Sequence, residues 1–304
     1  MQNIVREAYE FAKNWPDAGV VNDFIPSISG IDPSLLSVCL TDMEGNTYFC
    51  GDTEYRYTLQ SISKAVMMAY CLETVPHELL FSRVGVEPCG DHFNDVYRLE
   101  KIDRIPSNPF INAGAICLAS CLPGADVEDK YGRFRAFAGK LMGNPDLDYS
   151  LEVCRCETET AHKNRAIAYM LLDSGVYDGD PDEYLELYYR GCALLVNTPE
   201  ASRLGAVLAA DGFDPVTKKQ LISAETSHTI RALMAGCGLY EHTGAYNIAS
   251  GIPAKSGSSG VITAAARKKA GIGVFSPGLD PVGNSVRGMK AIQYLSEKLD
   301  LRTM

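Results

Sequence analysis

Ser61 and Lys64 stand three residues apart in a segment with helical apolar spacing, Gln60-Ser61-Ile62-Ser63-Lys64. Positions i and i+3 share one face of a helix, so the lysine amine can reach the serine hydroxyl. An amine that takes the hydroxyl proton turns the serine into a nucleophile for acyl transfer. Because a Ser-x-x-Lys pattern arises about once by chance in a chain of this length, the pair needs support from other residues.

A serine–lysine enzyme also needs donors for an oxyanion and a way to keep its lysine partly neutral. Lys255-Ser256-Gly257, which leads into a predicted strand, could supply both. A second cation near Lys64 would lower the pKa of its amine, and the N–H groups of an edge strand would face the oxyanion. Gly257 would let a substrate approach the backbone closely. The alternative is an ordinary Gly- and Ser-rich loop over 254–260, so this prediction depends on the Ser61–Lys64 pair.

Apolar periodicity predicts strands near both ends of the chain and helices between them. Strands are expected over 37–42 and 48–50, as a hairpin, and over 246–252, 261–266 and 271–276. Helices are expected before Pro16, from Ser61 to Val75, and over 114–121, 132–142, 164–173, 181–195, 202–211 and 285–299. This order predicts a single α+β domain over 1–304, with a sheet lobe at about 1–70 and 236–304 and a helical lobe at about 71–235.

The composition excludes several classes of function. The net charge is −10 and the largest basic run is Arg267-Lys268-Lys269, too small for a nucleic-acid-binding face. Apolar windows are too short for a membrane span. The ten cysteines are scattered and no secretory signal precedes them, so we expect reduced thiols and a cytoplasmic location. The Cys154-x-Cys156 spacing has no matching ligand pair, so no metal site is expected; nor is a cofactor implied by the activity that the family resemblance below suggests.

Several longer stretches resemble the signature motifs of the serine-dependent glutaminases. They are the 60–64 segment, Asn108-Pro109-Phe110-Ile111-Asn112-Ala113-Gly114-Ala115, Gly251-Ile252-Pro253-Ala254-Lys255-Ser256-Gly257 and Leu279-Asp280-Pro281-Val282-Gly283-Asn284-Ser285. The similarity covers roughly residues 18 to 295. It implies a β-lactamase-like α+β fold, with an antiparallel sheet flanked by helices plus a helical lobe. It also implies hydrolysis of the side-chain amide of L-glutamine to L-glutamate and ammonia.

The resemblance assigns the catalytic roles. Ser61 would be the nucleophile that forms a γ-glutamyl ester, and Lys64 would be its base. Tyr240, in Gly-Leu-Tyr, would help the proton reach the leaving ammonia. The backbone N–H groups of Ser61 and Ser258 would form the oxyanion hole.

The resemblance also assigns substrate contacts. Gln60 and Tyr188 would touch the substrate, and Asn112 would hold its α-amino or carboxylate end. Glu157 would bind the ammonium and Asn164 the carboxylate, as a zwitterionic amino acid requires. Local sequence alone would instead make Glu157 a solvated surface acid and Tyr188 a core aromatic residue.

The chain departs from the family pattern at two positions. Phe24, in Asp23-Phe24-Ile25-Pro26, stands where a tyrosine hydroxyl usually reaches the pocket. Losing one substrate hydrogen bond costs about 0.5–1.5 kcal/mol and lowers efficiency. Ser258 replaces a small apolar residue, and because the oxyanion hole needs only its backbone N–H, we expect little effect.

Other functions stay open. A glutamine- or glutamate-binding protein with weak catalysis would follow from Phe24. A β-lactam- or peptide-processing relative would share the Ser–Lys pair, but Glu157 and Asn164 suit a free amino acid better. A Ser-His-Asp hydrolase is disfavoured because no Gly-x-Ser-x-Gly elbow occurs. The resemblance further implies a homo-oligomer, a dimer or tetramer, with no nucleic-acid or membrane partner.

Overall fold

The computed structural model describes residues 1–23, 25–88 and 105–304. The helices in these ranges are α1 Gln2–Lys13, α2 Ile62–Thr74, α3 His77–Arg83, α4 Asn112–Ser120, α5 Val127–Met142, α6 Leu151–Thr160, α7 His162–Asp173, α8 Pro181–Cys192, α9 Thr198–Ala209, α10 Ala224–Cys237, α11 Thr243–Ser250 and α12 Val286–Leu299. The strands are β1 Val20–Val21, β2 Ser37–Asp42, β3 Thr47–Gly51, β4 Tyr57–Thr58, β5 Leu195–Val196, β6 Phe213–Asp214, β7 Lys219–Gln220, β8 Ala254–Ser256, β9 Val261–Ala266, β10 Ala270–Phe275 and β11 Gly278–Leu279.

The main sheet has five antiparallel strands in the order β3-β2-β10-β9-β8. The predicted hairpin is present, and the Asp42 carboxylate stabilises its turn by accepting the N–H groups of Glu44 and Asn46. Every residue of β2, β9 and β10 is buried, which requires cover on both faces of the sheet. Strand β8 pairs with β9 and forms one edge.

Helices supply that cover, and alternate side chains of β9 contact different cores. Ile262 and Ala264 belong to the cluster that includes α1 and α12, whereas Val261 and Ala265 belong to the cluster that includes α9. Successive side chains of a strand point to opposite faces, so the sheet lies between these two helical layers. Helix α9 thus packs on the sheet, although it belongs to the predicted helical lobe. The division into two lobes stays a prediction.

The prediction of a strand over 246–252 is wrong, because residues 246–250 belong to helix α11. Thr243, Tyr246 and Ser250 are buried at spacings of three and four residues, whereas Ile248, which a strand would place on the same face as Tyr246, is exposed. The helix ends at Gly251, whose φ of +64° gives a left-handed cap with its N–H bonded to the Asn247 carbonyl. The strand prediction gave too much weight to Tyr246 and Ile252.

Helix α2 lies in the middle of the helical core. Its residues from Ile62 to Leu72 are all buried, and it contacts α4, α5, α8 and α10. Because α2 is covered on all sides, its first turn is fixed relative to the edge strand β8. None of the helices in 1–23, 25–88 and 105–304 combines the length and apolar character needed to cross a membrane.

Candidate active site

Ser61 immediately precedes α2, in a turn with an unusual backbone conformation. Gln60 has a φ of +49°, a left-handed conformation that costs of order 1–3 kcal/mol for a residue with a side chain. Two backbone hydrogen bonds hold it there: the Gln60 N–H donates to the Cys192 carbonyl at 2.8 Å, and the Gln60 carbonyl accepts the Ser63 N–H at 2.9 Å. The turn leaves Ser61 lining the cleft.

The Ser61 hydroxyl contacts a tyrosine rather than its own helix. Within the described residues it makes no capping bond to α2, and it lies close enough to the Tyr240 hydroxyl to affect the pKa of that phenol. Tyr240 also has a left-handed backbone, with a φ of +55°. Burial raises the pKa of Tyr240 by more than the neighbouring Ser61 hydroxyl lowers it, so the phenol keeps its proton at neutral pH. The tyrosine can therefore donate a proton beside the nucleophile.

Lys64 follows Ser61 by one helical turn and is completely buried. Its Nζ donates to Asn112 Oδ1 at 2.6 Å and to the Phe110 carbonyl at 3.2 Å. Burial lowers the pKa of Lys64 to about 8, against Coulombic attraction from Cys192 and Glu157. About a tenth of the amine is then neutral at pH 7, as a general base requires.

Lys255 is a second buried amine, in the middle of β8. Its Nζ donates to the Ser256 carbonyl at 2.8 Å and lies 4.2 Å from the centroid of the Tyr240 ring. Burial and the charge of Lys64 hold the pKa of Lys255 well below its usual range. Burial is the largest cause of the low pKa at both amines, and repulsion between the two adds to it at Lys255. The Lys255 amine packs against the Tyr240 ring and supports it.

Asn112 joins the lysine to the far side of the cleft. Its Oδ1 accepts from Lys64 and, at 3.3 Å, from the Tyr188 hydroxyl. Its Nδ2 donates to Asn164 Oδ1 at 2.9 Å. These bonds fix the orientation of the Asn112 amide, so the amide cannot turn without losing all three partners. Residues far apart in the chain are thus held in one network.

Glu157 is a half-buried acid, and one of its carboxyl oxygens is inaccessible to solvent. It lies in α6 and lines the cleft. Its Oε2 is inaccessible and accepts no hydrogen bond from any described residue. Burial raises the pKa of Glu157 to about 8, although the Lys64 charge opposes this. A half-buried carboxyl that lacks a donor on one oxygen and faces an open cleft is suited to a ligand cation.

These side chains surround one cleft of about 670 Å³. Every residue predicted to touch the substrate or to react with it directly lines the cleft: Gln60, Ser61, Asn112, Glu157, Asn164, Tyr188, Tyr240 and Ser258. Lys64 and Lys255 lie fully buried behind this wall. No group of His, Cys, Asp and Glu able to hold a metal occurs in the described part of the chain. Because Glu157 and Ser61 both line it, the cleft can bind a small zwitterion next to a serine.

A model of the glutaminase family matches residues 19–304. A glutaminase of Clostridium botulinum is 37% identical over 302 residues, which cover 99% of both chains. The chain belongs to the glutaminase family. Glutaminase 2 of Clostridium perfringens is also 37% identical, over 99% of both chains.

Solved glutaminase structures share the fold. The probable glutaminase ybaS has a TM-score of 0.94 and 36% identity, covering 99% of this chain and 97% of that chain. A probable glutaminase from Bacillus subtilis, complexed with 6-diazo-5-oxo-L-norleucine, has a TM-score of 0.87 and 31% identity, covering 100% and 95%. The family resemblance and the β-lactamase-like α+β fold predicted from the sequence are confirmed.

Other residues of this glutaminase cleft were not predicted from the sequence. Asn22 lines it, and its Nδ2 donates to the Ser258 carbonyl at 3.0 Å. Lys163, beside Asn164, also lines it. Asp280 lines the cleft in the loop after β11, and its carboxylate accepts the N–H groups of residues 282–284. For Asn22 the available signal was its position just before the Asp23-Phe24-Ile25-Pro26 motif. Phe24 itself lies outside the described residues, so its effect stays a prediction.

Proposed function

We propose that this protein hydrolyses the side-chain amide of L-glutamine, giving L-glutamate and ammonia through a γ-glutamyl ester on Ser61. One observation supports this most strongly. A single cleft presents the hydroxyl of Ser61, next to Tyr240, together with the carboxyl of Glu157, whose inaccessible Oε2 accepts no hydrogen bond from the described residues. Glutamine carries the groups that match them, a side-chain amide and an α-ammonium.

The first half of the reaction forms the ester. Neutral Lys64 takes the Ser61 proton as Oγ attacks the amide carbon, and the N–H groups of Ser61 and Ser258 stabilise the oxyanion. Tyr240 donates its proton to the amide nitrogen, the C–N bond breaks and ammonia leaves. The proton on Lys64 then restores the Tyr240 phenol. Their positions around Ser61 and the protonation states favoured by burial support this assignment.

The second half repeats these steps with water. Water loses a proton to Lys64 and attacks the ester carbon, and the returning proton restores the Ser61 hydroxyl as glutamate leaves. Glu157 holds the α-ammonium throughout, while Asn164 and Gln60 face the α-carboxylate. The distance between these groups and Ser61 selects glutamine over the shorter asparagine.

Ser61→Ala tests the function directly. We expect ammonia release from glutamine to fall by at least about 10³-fold. Ser63→Ala is the matched control, because its hydroxyl faces Cys192 Sγ at 3.7 Å inside the core, and this variant should keep the wild-type rate. A wild-type rate in Ser61→Ala would refute the proposal. Mass spectrometry of the quenched wild-type reaction should show one glutamyl group on the peptide that contains Ser61.

A glutamine- or glutamate-binding protein with weak catalysis is the second candidate, favoured by the missing hydroxyl at Phe24. Calorimetry with glutamine separates the two, since continuing heat indicates turnover and a simple saturable signal indicates binding alone. Phe24→Tyr should raise kcat/KM by about 2- to 10-fold if the lost hydrogen bond limits the enzyme.

We also infer a cytoplasmic homo-oligomer, a dimer or tetramer. None of the nine cysteines in the described part of the chain is in a disulfide, which suits a reducing compartment. Val20 and Ile248 are 74% and 87% exposed, and an oligomer could bury such side chains. Light scattering after size exclusion measures the oligomeric state, and a monomer at micromolar concentration would contradict the inference.

A further inference from the structure

Ser258 connects separate segments of the chain next to the nucleophile. Its hydroxyl donates to Gln60 Oε1 at 3.3 Å. Its carbonyl accepts the Asn22 side chain at 3.0 Å. Asn22 in turn accepts the Ile25 N–H at 3.3 Å. Ser258, in the turn after β8, is therefore bonded to the nucleophile turn on one side and to the N-terminal segment on the other.

Gln60 is held firmly at the receiving end of this bond. Its side chain is buried, and its Nε2 donates to Thr58 Oγ1 at 3.2 Å while Oε1 accepts from Ser258. The backbone of the same residue has the left-handed conformation that places Ser61 in the cleft. A displacement of the Gln60 side chain is therefore transmitted to the nucleophile turn.

The turn after β8 is pressed against this segment. A Cβ on Gly257 would lie 2.6 Å from the Leu59 carbonyl oxygen, so only glycine allows the approach. The Gly257 N–H donates to the Val261 carbonyl and the Gly260 N–H to the Gly257 carbonyl, at 2.8 and 2.9 Å. These bonds make the turn rigid. Its position relative to Ser61 then depends on the contacts at its tip, where Ser258 lies.

We propose that the Ser258 side chain is a positioning residue for the oxyanion hole. By bonding Gln60, its hydroxyl sets the spacing between the backbone N–H of Ser61 and the backbone N–H of Ser258 itself. This inference rests on the proposed function, in which those two groups stabilise the oxyanion. It replaces the expectation that a serine at this position has little effect.

Ser258→Ala tests the positioning role. We expect kcat for glutamine to fall about 3- to 10-fold, the worth of one hydrogen bond, with KM within about 2-fold of wild type. Ser258→Thr keeps the hydroxyl and should recover most of the lost kcat. Ser259→Ala is the matched control, because this neighbouring hydroxyl is buried and makes no hydrogen bond with any described residue. It should leave kcat unchanged.

Further variants exclude a general loss of structure. Ser258→Val removes the same bond with a larger apolar side chain and should reproduce the fall in kcat, and thermal melting reports folding of each variant. In a Gln60→Met background, Ser258→Ala should cause no additional fall, because the partner is already absent.

Three results would overturn the inference: a wild-type kcat in Ser258→Ala, a rise in KM alone, or an equal fall in the Gln60→Met background. These differ from failure of the proposed function, which would appear as a wild-type protein that releases no ammonia from glutamine.

Discussion

Binding of glutamine should release a proton from Glu157. In the empty cleft, burial raises the pKa of this carboxyl to about 8, and its Oε2 has no hydrogen-bond donor among the described residues. An α-ammonium placed against the carboxyl favours the ionised form. The proton that Glu157 carries in the free protein must then leave when the ligand binds.

The size of the effect follows from that pKa. A group with a pKa near 8 is about nine-tenths protonated at pH 7, so binding should release about 0.9 proton at pH 7 and about 0.1 at pH 9. The apparent Kd should tighten about tenfold for each pH unit between 6 and 7. The sign is set by the raised pKa, since a normal carboxyl would be ionised already at pH 6 and would release almost nothing.

Calorimetry on Ser61→Ala measures this without turnover. Titrations at pH 7 in buffers of different ionisation enthalpy give the number of protons released per glutamine bound. Adding Glu157→Gln should abolish most of the release and weaken binding by about 10- to 100-fold, the worth of a hydrogen bond to a charged group. Binding heats that do not depend on the buffer at pH 7 would refute the argument. So would proton release that persists in Glu157→Gln.

Three further predictions concern the base, the oxyanion turn and the rim of the cleft. Because Lys64 must be neutral to accept a proton and its pKa is about 8, kcat should rise with pH and level off above about 8; a flat pH profile from 6 to 8.5 would exclude it as the base. Gly257→Ala forces a Cβ within 2.6 Å of the Leu59 carbonyl oxygen. The free energy of unfolding measured in urea should fall by about 1–3 kcal/mol and kcat should also fall, whereas wild-type stability would show that the turn can move. His242→Ala removes a 2.8 Å contact from Nδ1 to Asp280 Oδ2 on a half-exposed side chain. The free energy of unfolding should therefore fall by at most about 1 kcal/mol, and a larger fall would mean that the loop needs this pair.

Local features of the fold could be predicted from the sequence because they depend on near neighbours. The hairpin of β2 and β3 and the terminal helix α12 lie where alternation and helical spacing place them. Helix α6 was missed, because the 151–160 segment carries polar residues on most of its surface and only Val153 and Cys154 are buried. Helix α11 was predicted as a strand because the residues before Gly251 include β-forming types. Nothing in those residues indicates that Gly251 caps a helix.

The candidate site divides in the same way. The Ser61–Lys64 pair is local, and the i, i+3 spacing alone suggested it. Asn112 and Asn164 are 52 residues apart, and nothing in their neighbourhoods indicates that their amides meet at 2.9 Å. Only the family motifs placed them together. Glu157 is the extreme case, because its local sequence indicates a solvated acid while the fold buries its Oε2.

Burial explains why one cleft can hold both a base and an acid near neutral pH. Removing Lys64 from water lowers the pKa of its amine, and removing Glu157 from water raises the pKa of its carboxyl, so both come to about 8. Their mutual attraction opposes each shift and keeps either from moving further. At pH 7 Glu157 is mostly neutral in the empty cleft, and the negative charge that it gains on binding is offset by the ligand ammonium. The net charge beside Lys64 therefore changes little when the substrate binds, and the base keeps a pKa near neutrality.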